Sequence, residues 1–134
     1  MVTTIVDTSV WIDLLRGHNN DRARLLERMI DTRVAIGITD ITYAELHAGM
    51  LAENGIAMLS QLESAGRILS LQGLEDFARA GELARAATLA GRPVRSISDC
   101  LIASVCIRED LPLLHHDRDF ESLAACSALR TIAV

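Results

Sequence analysis

Short apolar runs alternate along this chain with longer segments of helical periodicity, and that alternation constrains the fold more than any other feature. Val34-Ala35-Ile36-Gly37-Ile38 has no polar residue at alternate positions, as expected of a strand covered on both faces. Thr3-Thr4-Ile5-Val6 is a β-branched run that ends at Asp7-Thr8-Ser9, three helix-capping residue types. Residues 67–71, 113–115 and 130–134 read as further strands, for a total of about five. Helical segments are predicted from Val10 to the breaker Gly17-His18-Asn19-Asn20, over 21–33, from a Thr39-Asp40 cap to about Ala52, and over 55–65, 74–90 and 120–126. Another, opened by Ser96 or Ser98 and running to about Arg108, is apolar nearly all round and is expected to be buried. In the helix over 21–33, Leu25, Leu26, Met29 and Ile30 are the expected buried face. Strands separated by helices imply an α/β chain with a central parallel sheet between two helix layers. Sites in such folds form beyond the carboxyl ends of the strands.

With 134 residues, half of them apolar, and no repeat or Pro/Gly linker, residues 1–134 read as one domain. Aromatics are only 3%, so Ala and Leu must fill a helix-rich core. No apolar run reaches membrane length and Met1-Val2-Thr3-Thr4 does not open a signal segment, so a soluble, cytoplasmic protein is expected. Cys100, Cys106 and Cys126 lack CxxC spacing and read as small buried hydrophobes rather than a disulfide or zinc framework.

All 13 basic residues are Arg, with no Lys anywhere in the chain. That excludes a Schiff-base enzyme, a Walker-type phosphate loop and a phospho-receiver, each of which needs a Lys. A net charge of -5 also argues against a protein that holds nucleic acid by bulk positive charge. Contact with nucleic acid would have to be local, through Arg patches and bound cations.

Five carboxylates stand where a solvated surface charge is not expected. Asp7 follows the first strand, Asp117 and Asp119 follow the fourth, and Asp99 lies in the first turn of the most apolar helix. Glu45 shares a stripe with Ile41, Ala48, Gly49 and Ala52, read as the buried small-residue face of its helix. Each has a bland alternative: Asp7 and Asp119 as helix caps, Asp99 as a favourable charge at a helix N-terminus, Glu45 as an Arg partner. Without these five acids, the remaining 13 Asp and Glu balance the 13 Arg. The whole net charge is thereby assigned to one site, and a cluster of that kind calls for divalent cations. All-oxygen ligands suit Mg²⁺ or Mn²⁺ rather than zinc, and one or two such ions can drive phosphodiester hydrolysis.

Four segments together resemble a known family: Ile5-Val6-Asp7-Thr8-Ser9-Val10-Trp11-Ile12-Asp13, Ile41-Thr42-Tyr43-Ala44-Glu45-Leu46, Ser98-Asp99-Cys100-Leu101-Ile102-Ala103 and Leu114-His115-His116-Asp117-Arg118-Asp119-Phe120. In order and spacing they are similar to the PIN domain of VapC-type toxins, over the whole chain. The resemblance implies a PIN-like three-layer α/β/α sandwich and a Mg²⁺-dependent endoribonuclease, with Mn²⁺ as a substitute ion. It implies metal ligands and catalytic acids at Asp7, Glu45, Asp99 and Asp117 with Asp119 beside it: Asp7 and Asp99 as the main ligands, and Glu45, Asp117 and Asp119 completing the shell directly or through water, either of the last two able to reach the metal. Ser9 matches the family's small hydroxyl residue near the first Asp. Implied partners are a VapB-type antitoxin, an RNA substrate such as tRNA or rRNA, and a second copy in a homodimer within a larger toxin–antitoxin complex.

Arg92 and Arg95, in the loop before Asp99, are placed to meet a substrate, whereas Arg16, Arg22, Arg24 and Arg28 read as a solvated helix face or a phosphate contact. His115 and His116 point to opposite faces if on a strand, which favours a structural or RNA-adjacent role over a shared metal. His18 and His47 read as surface residues, and Trp11 and Tyr43 as packing residues before base-stacking ones. An aspartyl-nucleophile phosphatase fails because Ser9 stands where its second Asp belongs and no Lys is present. The competing class is a non-catalytic PIN-like module that binds RNA or protein.

Overall fold

The computed structural model describes residues 1–49 and 52–134. The first β-branched run forms β1 (Thr4–Val6), with all three residues buried. It pairs in parallel with β2 (Ile36–Thr39) on one side and β4 (Leu113–Leu114) on the other, and β3 (Ile68–Leu69) adds in parallel outside β2. The order is therefore β3-β2-β1-β4. From β1 the chain works outward through β2 to β3, then returns to the far side of β1. Between β1 and β4 the strand order reverses, and open parallel sheets bind their ligands at the carboxyl ends of the strands flanking such a point.

The expected fifth strand is not formed. Thr131 makes a single parallel bridge to Leu113, held by Leu113 N–H to Arg130 O at 2.9 Å and Ile132 N–H to Leu113 O at 3.0 Å. β4 is only two residues long, so it offers no longer ladder. Among the described residues the sheet has four strands.

Both faces of this sheet are covered, and β1 and β4 show how. Ile5 and Leu113 point into one apolar cluster while Val6 and Leu114 point into the other, as the two-residue period of a strand requires. The first cluster is closed by α5 (Gly73–Leu89), α6 (Ile97–Glu109) and α7 (Arg118–Ala125). The second is closed by α1 (Thr8–Leu15), α2 (Asp21–Asp31), α3 (Asp40–Ala48) and α4 (Glu53–Ser64). The result is the expected three-layer α/β/α arrangement.

Five of these helices begin on a side-chain cap: Asp7, Asn20, Thr39, Ser96 and Asp117 accept from the backbone N–H of Ser9, Ala23, Thr42, Ser98 and Asp119. Three of the caps (Asp7, Thr39 and Asp117) follow sheet strands, so the helix N-termini collect at the carboxyl edge of the sheet.

Three local expectations change. Ile30 is 40% exposed, because the buried face of α2 is the narrower row Ala23, Leu26 and Met29, each three residues from the next. The expected helix from Thr39-Asp40 to about Ala52 ends at Ala48, with Gly49 as its C-cap; Met50 and Leu51 lie outside the described residues, and Ala52 already caps α4. Asp117, rather than Asp119, is the cap of α7.

Other expectations stand. α6 buries Cys100, Ile102, Ala103, Ser104, Val105 and Cys106. The cysteines are free, though Cys126 is only half-buried where burial was expected; burial, the largest influence on the other two, raises Cys100 to about 11 and Cys106 to about 12, leaving both as inert thiols at neutral pH. Trp11 is fully buried and His18 and His47 are exposed. Away from the sheet edge, fully buried Asp76 joins α5 to α6: it accepts from Gln72 N–H at 2.7 Å, Arg79 Nη1 at 2.8 Å and Arg108 Nε at 3.1 Å. Burial alone would raise its pKa, but these donors outweigh it and hold the carboxyl below its ordinary value. Among the described residues, no helix is long and apolar enough to cross a membrane.

Candidate active site

Asp7 is the first residue past β1 and is 4% exposed. Capping α1 fixes its carboxylate: Oδ2 accepts from the Ser9 backbone N–H at 3.0 Å and from Ser9 Oγ at 2.6 Å. Burial pushes its pKa up; the Ser9 bonds work against that shift and the charge of Glu45 adds to it.

Across the switch point, Asp117 caps α7 and receives Asp119 N–H on Oδ1 at 2.9 Å. Asp119, one residue into the helix, is buried. Asp99 faces both from the first turn of α6, so that one carboxylate oxygen from each of Asp99, Asp117 and Asp119 lies within 4.8 Å of the others. Asp99 responds most strongly. Burial first, then the charges of Asp7, Asp117, Asp119 and Glu45, raise its pKa to about 7. The other four carboxylates singled out from the sequence thus all act electrostatically on Asp99.

Glu45 belongs to the site but not by the expected route. It is exposed, as are Ala48, Gly49 and Ala52, so the small-residue stripe of α3 is an open face rather than a buried one. The buried positions of α3 are Thr42 and Leu46, four residues apart, which leaves the neighbouring row outside. Glu45 is held there by Thr8, whose Oγ1 donates to Oε1 at 2.8 Å and lies 3.1 Å from Thr42 Oγ1.

Of the two arginines expected near a substrate, Arg95 already has internal partners. Its backbone N–H and Nε each reach Asp119 Oδ2 at 3.2 Å, and Nη2 reaches Asp117 Oδ1 at 3.1 Å. Arg92 is exposed on the turn after α5, with its backbone N–H bonded to Ala87 O.

Two participants were not legible beforehand. Thr8 read as a capping residue, and only the fold brings α3 to it. Asp13 looked like the end of a motif. Its Oδ2 accepts from His116 Nδ1 at 2.7 Å and Asn20 Nδ2 at 3.0 Å, and its Oδ1 from His18 Nδ1 at 3.2 Å. His116 N–H also donates to Ser9 Oγ at 3.0 Å, so Ser9 couples the loop after β4 to Asp7. His115 turns inward instead. It packs on Phe120, pairs Nε2 with Glu121 at 2.9 Å and accepts Asp117 N–H on Nδ1, a structural role for that member of the pair.

Chemically, the site offers clustered carboxylate oxygens at the mouth of a parallel sheet. A divalent ion with oxygen bonds of about 2.1 Å places opposite ligands about 4.2 Å apart, so three oxygens within 4.8 Å close on it with small movements. A cation there would oppose both the burial and the neighbouring charges that raise Asp99. The donor set fits a hard cation.

The family model described as the PIN domain matches residues 4–125. Ribonuclease VapC11 of Mycobacterium tuberculosis is 32% identical to this chain over 127 residues, spanning 94% of the chain and 95% of the relative. VapC ribonuclease Mb1587 of Mycobacterium bovis matches to the same extent. The chain belongs to the PIN-domain family of VapC ribonucleases. Its fold agrees with a solved member of the VapBC toxin–antitoxin family, VapBC-5 from Mycobacterium tuberculosis, at a TM-score of 0.65 and 26% identity over 100% of both chains. FitAcB from Neisseria gonorrhoeae shares the fold at a TM-score of 0.70 and 23% identity, over 98% of this chain and 97% of that one.

Proposed function

We propose that this chain is the toxin of a type II toxin–antitoxin pair, a metal-dependent endoribonuclease that hydrolyses RNA phosphodiester bonds and is silenced by a VapB-type antitoxin. The carrying observation is the carboxylate cluster at the β1–β4 switch point, with Asp99 raised to about 7 by burial and by four neighbouring acids. The alternative of a non-catalytic module leaves that strain without a purpose, and both relatives described above are named ribonucleases.

In this reading Asp7 and Asp99 are the main ligands of Mg²⁺, or of Mn²⁺ in its place, and Glu45, Asp117 and Asp119 complete the shell directly or through water. When bound, the ion supplies the positive charge that makes water nucleophilic and stabilises the departing oxygen. The chain's own work is orientation. Ser9 fixes the Asp7 carboxylate, Thr8 holds Glu45 over the open face of α3, and Arg95 turns Asp117 and Asp119 toward one side of the site. Arg92, exposed at the approach to α6, meets the RNA phosphates. Attack in line breaks the P–O3′ bond and leaves a 5′-phosphate and a 3′-hydroxyl. Residues 1–134 act as one PIN domain in the cytoplasm, on tRNA or rRNA, as a homodimer within a larger complex with the antitoxin.

The test is incubation of the purified protein with total cellular RNA in Mg²⁺, Mn²⁺ or EDTA, followed by mapping of the product ends. Discrete cuts bearing 5′-phosphates in either metal, and none in EDTA, are expected. Cleavage that persists in EDTA would overturn the metal-dependent reading.

A further inference from the structure

His116 is fixed at two points, its backbone and its ring. Its backbone N–H is bonded to Ser9 Oγ, which is bonded in turn to Asp7, and the next residue is Asp117. Its ring is clamped from α1, where Asp13 Oδ2 lies 2.7 Å from Nδ1. Asp13 is itself braced by Asn20 and His18. Burial would raise the Asp13 pKa, but the bonds from His116, Asn20 and His18 outweigh it and keep the carboxyl below its ordinary value. Asp13 is therefore a charged acceptor with no proton to give, and the proton of this bond belongs to Nδ1.

The opposite nitrogen is then defined. Among the described residues Nε2 has no protein partner, and the side chain is 44% exposed. With the proton on Nδ1 alone, Nε2 carries a lone pair on a partly exposed ring, in the residue that directly precedes Asp117. A phosphate oxygen only accepts hydrogen bonds, so it cannot fill that lone pair and pairs with Nε2 only when this nitrogen also carries a proton. A ribose 2′-hydroxyl can donate into it, and can also accept from the ring if Nε2 is protonated. DNA has nothing at the corresponding atom.

We infer that His116 is a specificity-determining residue, whose Nε2 pairs with a ribose 2′-hydroxyl beside the cut and so distinguishes RNA from DNA. The inference rests on the ribonuclease reading of the neighbouring carboxylates. Asp13 acts through His116 as a positioning residue, holding the ring and its tautomer.

The experiment is a cycle between protein and substrate. A synthetic RNA spanning one cut mapped in total cellular RNA is made all-ribose, and again with a single 2′-deoxy substitution at each nucleotide flanking the cut. For wild type, one of these substitutions should lower kcat/KM by about tenfold, the scale of one hydrogen bond. With His116→Ala the all-ribose substrate should be cut more slowly, and the deoxy penalty at that nucleotide should shrink to less than about twofold. His116→Gln, whose amide oxygen can occupy the Nε2 position, should recover part of the penalty. A role confined to folding or loop order would slow both substrates equally and leave the ratio alone. A penalty of the same size in His116→Ala, or no penalty in wild type at any flanking nucleotide, overturns the inference while the ribonuclease reading survives. A wild-type protein that cuts no RNA sinks that reading and the inference with it.

Discussion

Arg95 grips Asp119 twice on the same oxygen, its backbone N–H and its Nε each standing 3.2 Å from Oδ2. The contact comes from the loop that leads into α6, the helix that carries Asp99, so one short segment delivers both a positive and a negative charge to the site. Asp117 and Asp119 are thereby partly neutralised on one edge, whereas Asp99, Asp7 and Glu45 have no Arg bonded to them among the described residues. Burial is the first cause of the upward pKa shifts at Asp7 and Asp99, and among the described residues neither carboxylate has an Arg bonded to it to offset that cost.

Removing that internal cation should make the cluster more dependent on an external one. Arg95→Ala is expected to lower the Tm of the protein in EDTA and to enlarge the Tm increase on adding Mg²⁺ or Mn²⁺. Paired thermal melts of wild type and variant check this. An unchanged metal response would mean that Arg95 and the ion do not share the same carboxylates.

The raised carboxyls also fix the sign of the pH dependence. A folded pKa above the unfolded value costs stability in full above the folded value and costs nothing below the unfolded one. For Asp99 that window runs from about 7 down to 3.8, and Asp7 shifts in the same direction. The metal-free protein should therefore gain stability as pH falls from neutral through this range. The gain reverses near its lower end, where Asp13 and Asp76, both held below their ordinary values, begin to protonate and their stabilising pairs are lost. A bound ion removes the same repulsion at neutral pH, adding about 2.7 kcal/mol when free metal stands at about 100 times its Kd. Denaturant titrations in EDTA across this range, and with metal at neutral pH, measure both effects. A stability that falls steadily from neutral pH downward would contradict the account.

Much of this was legible in local sequence. Asp7 and Asp117 could be placed because strand ends are short-range features, and Asp99 because it opens a helix too apolar to face water, although the cap of α7 was assigned to Asp119 instead of Asp117. Glu45 was misjudged in its burial because small residues on a helix suit both a tight interior and an open cleft. Only the contact with Thr8, 37 positions earlier in the chain, decides between the two. Thr131-Ile132-Ala133-Val134 has strand composition but meets a two-residue partner, which composition cannot reveal. Asp13 was passed over for the same reason as Thr8: its partner His116 is 103 positions away.

The sheet itself can be tested at one glycine. A Cβ on Gly37 would lie 2.8 Å from Arg67 O on the adjoining segment and 2.9 Å from both methyl carbons of Val2. Gly37→Ala should therefore destabilise by about 1–3 kcal/mol, the usual cost of overpacking a close contact. Gly81, inside α5 with nothing within 4 Å of its added Cβ, is the control: Gly81→Ala should stabilise by up to about 1 kcal/mol. Chemical denaturation of the two variants should show opposite signs.

The most direct test of the central claim is the rate of RNA cleavage by Asp99→Asn beside wild type in Mg²⁺, with both proteins shown to be folded by their melts. Asn preserves the volume of Asp and removes its charge from the cluster. The account predicts a loss of at least about a hundredfold, the scale of removing one essential electrostatic element from an active site, together with a smaller metal-induced Tm shift. Near-wild-type cleavage by Asp99→Asn, with an undiminished response to metal, would contradict the assignment of these carboxylates to a shared catalytic cation site.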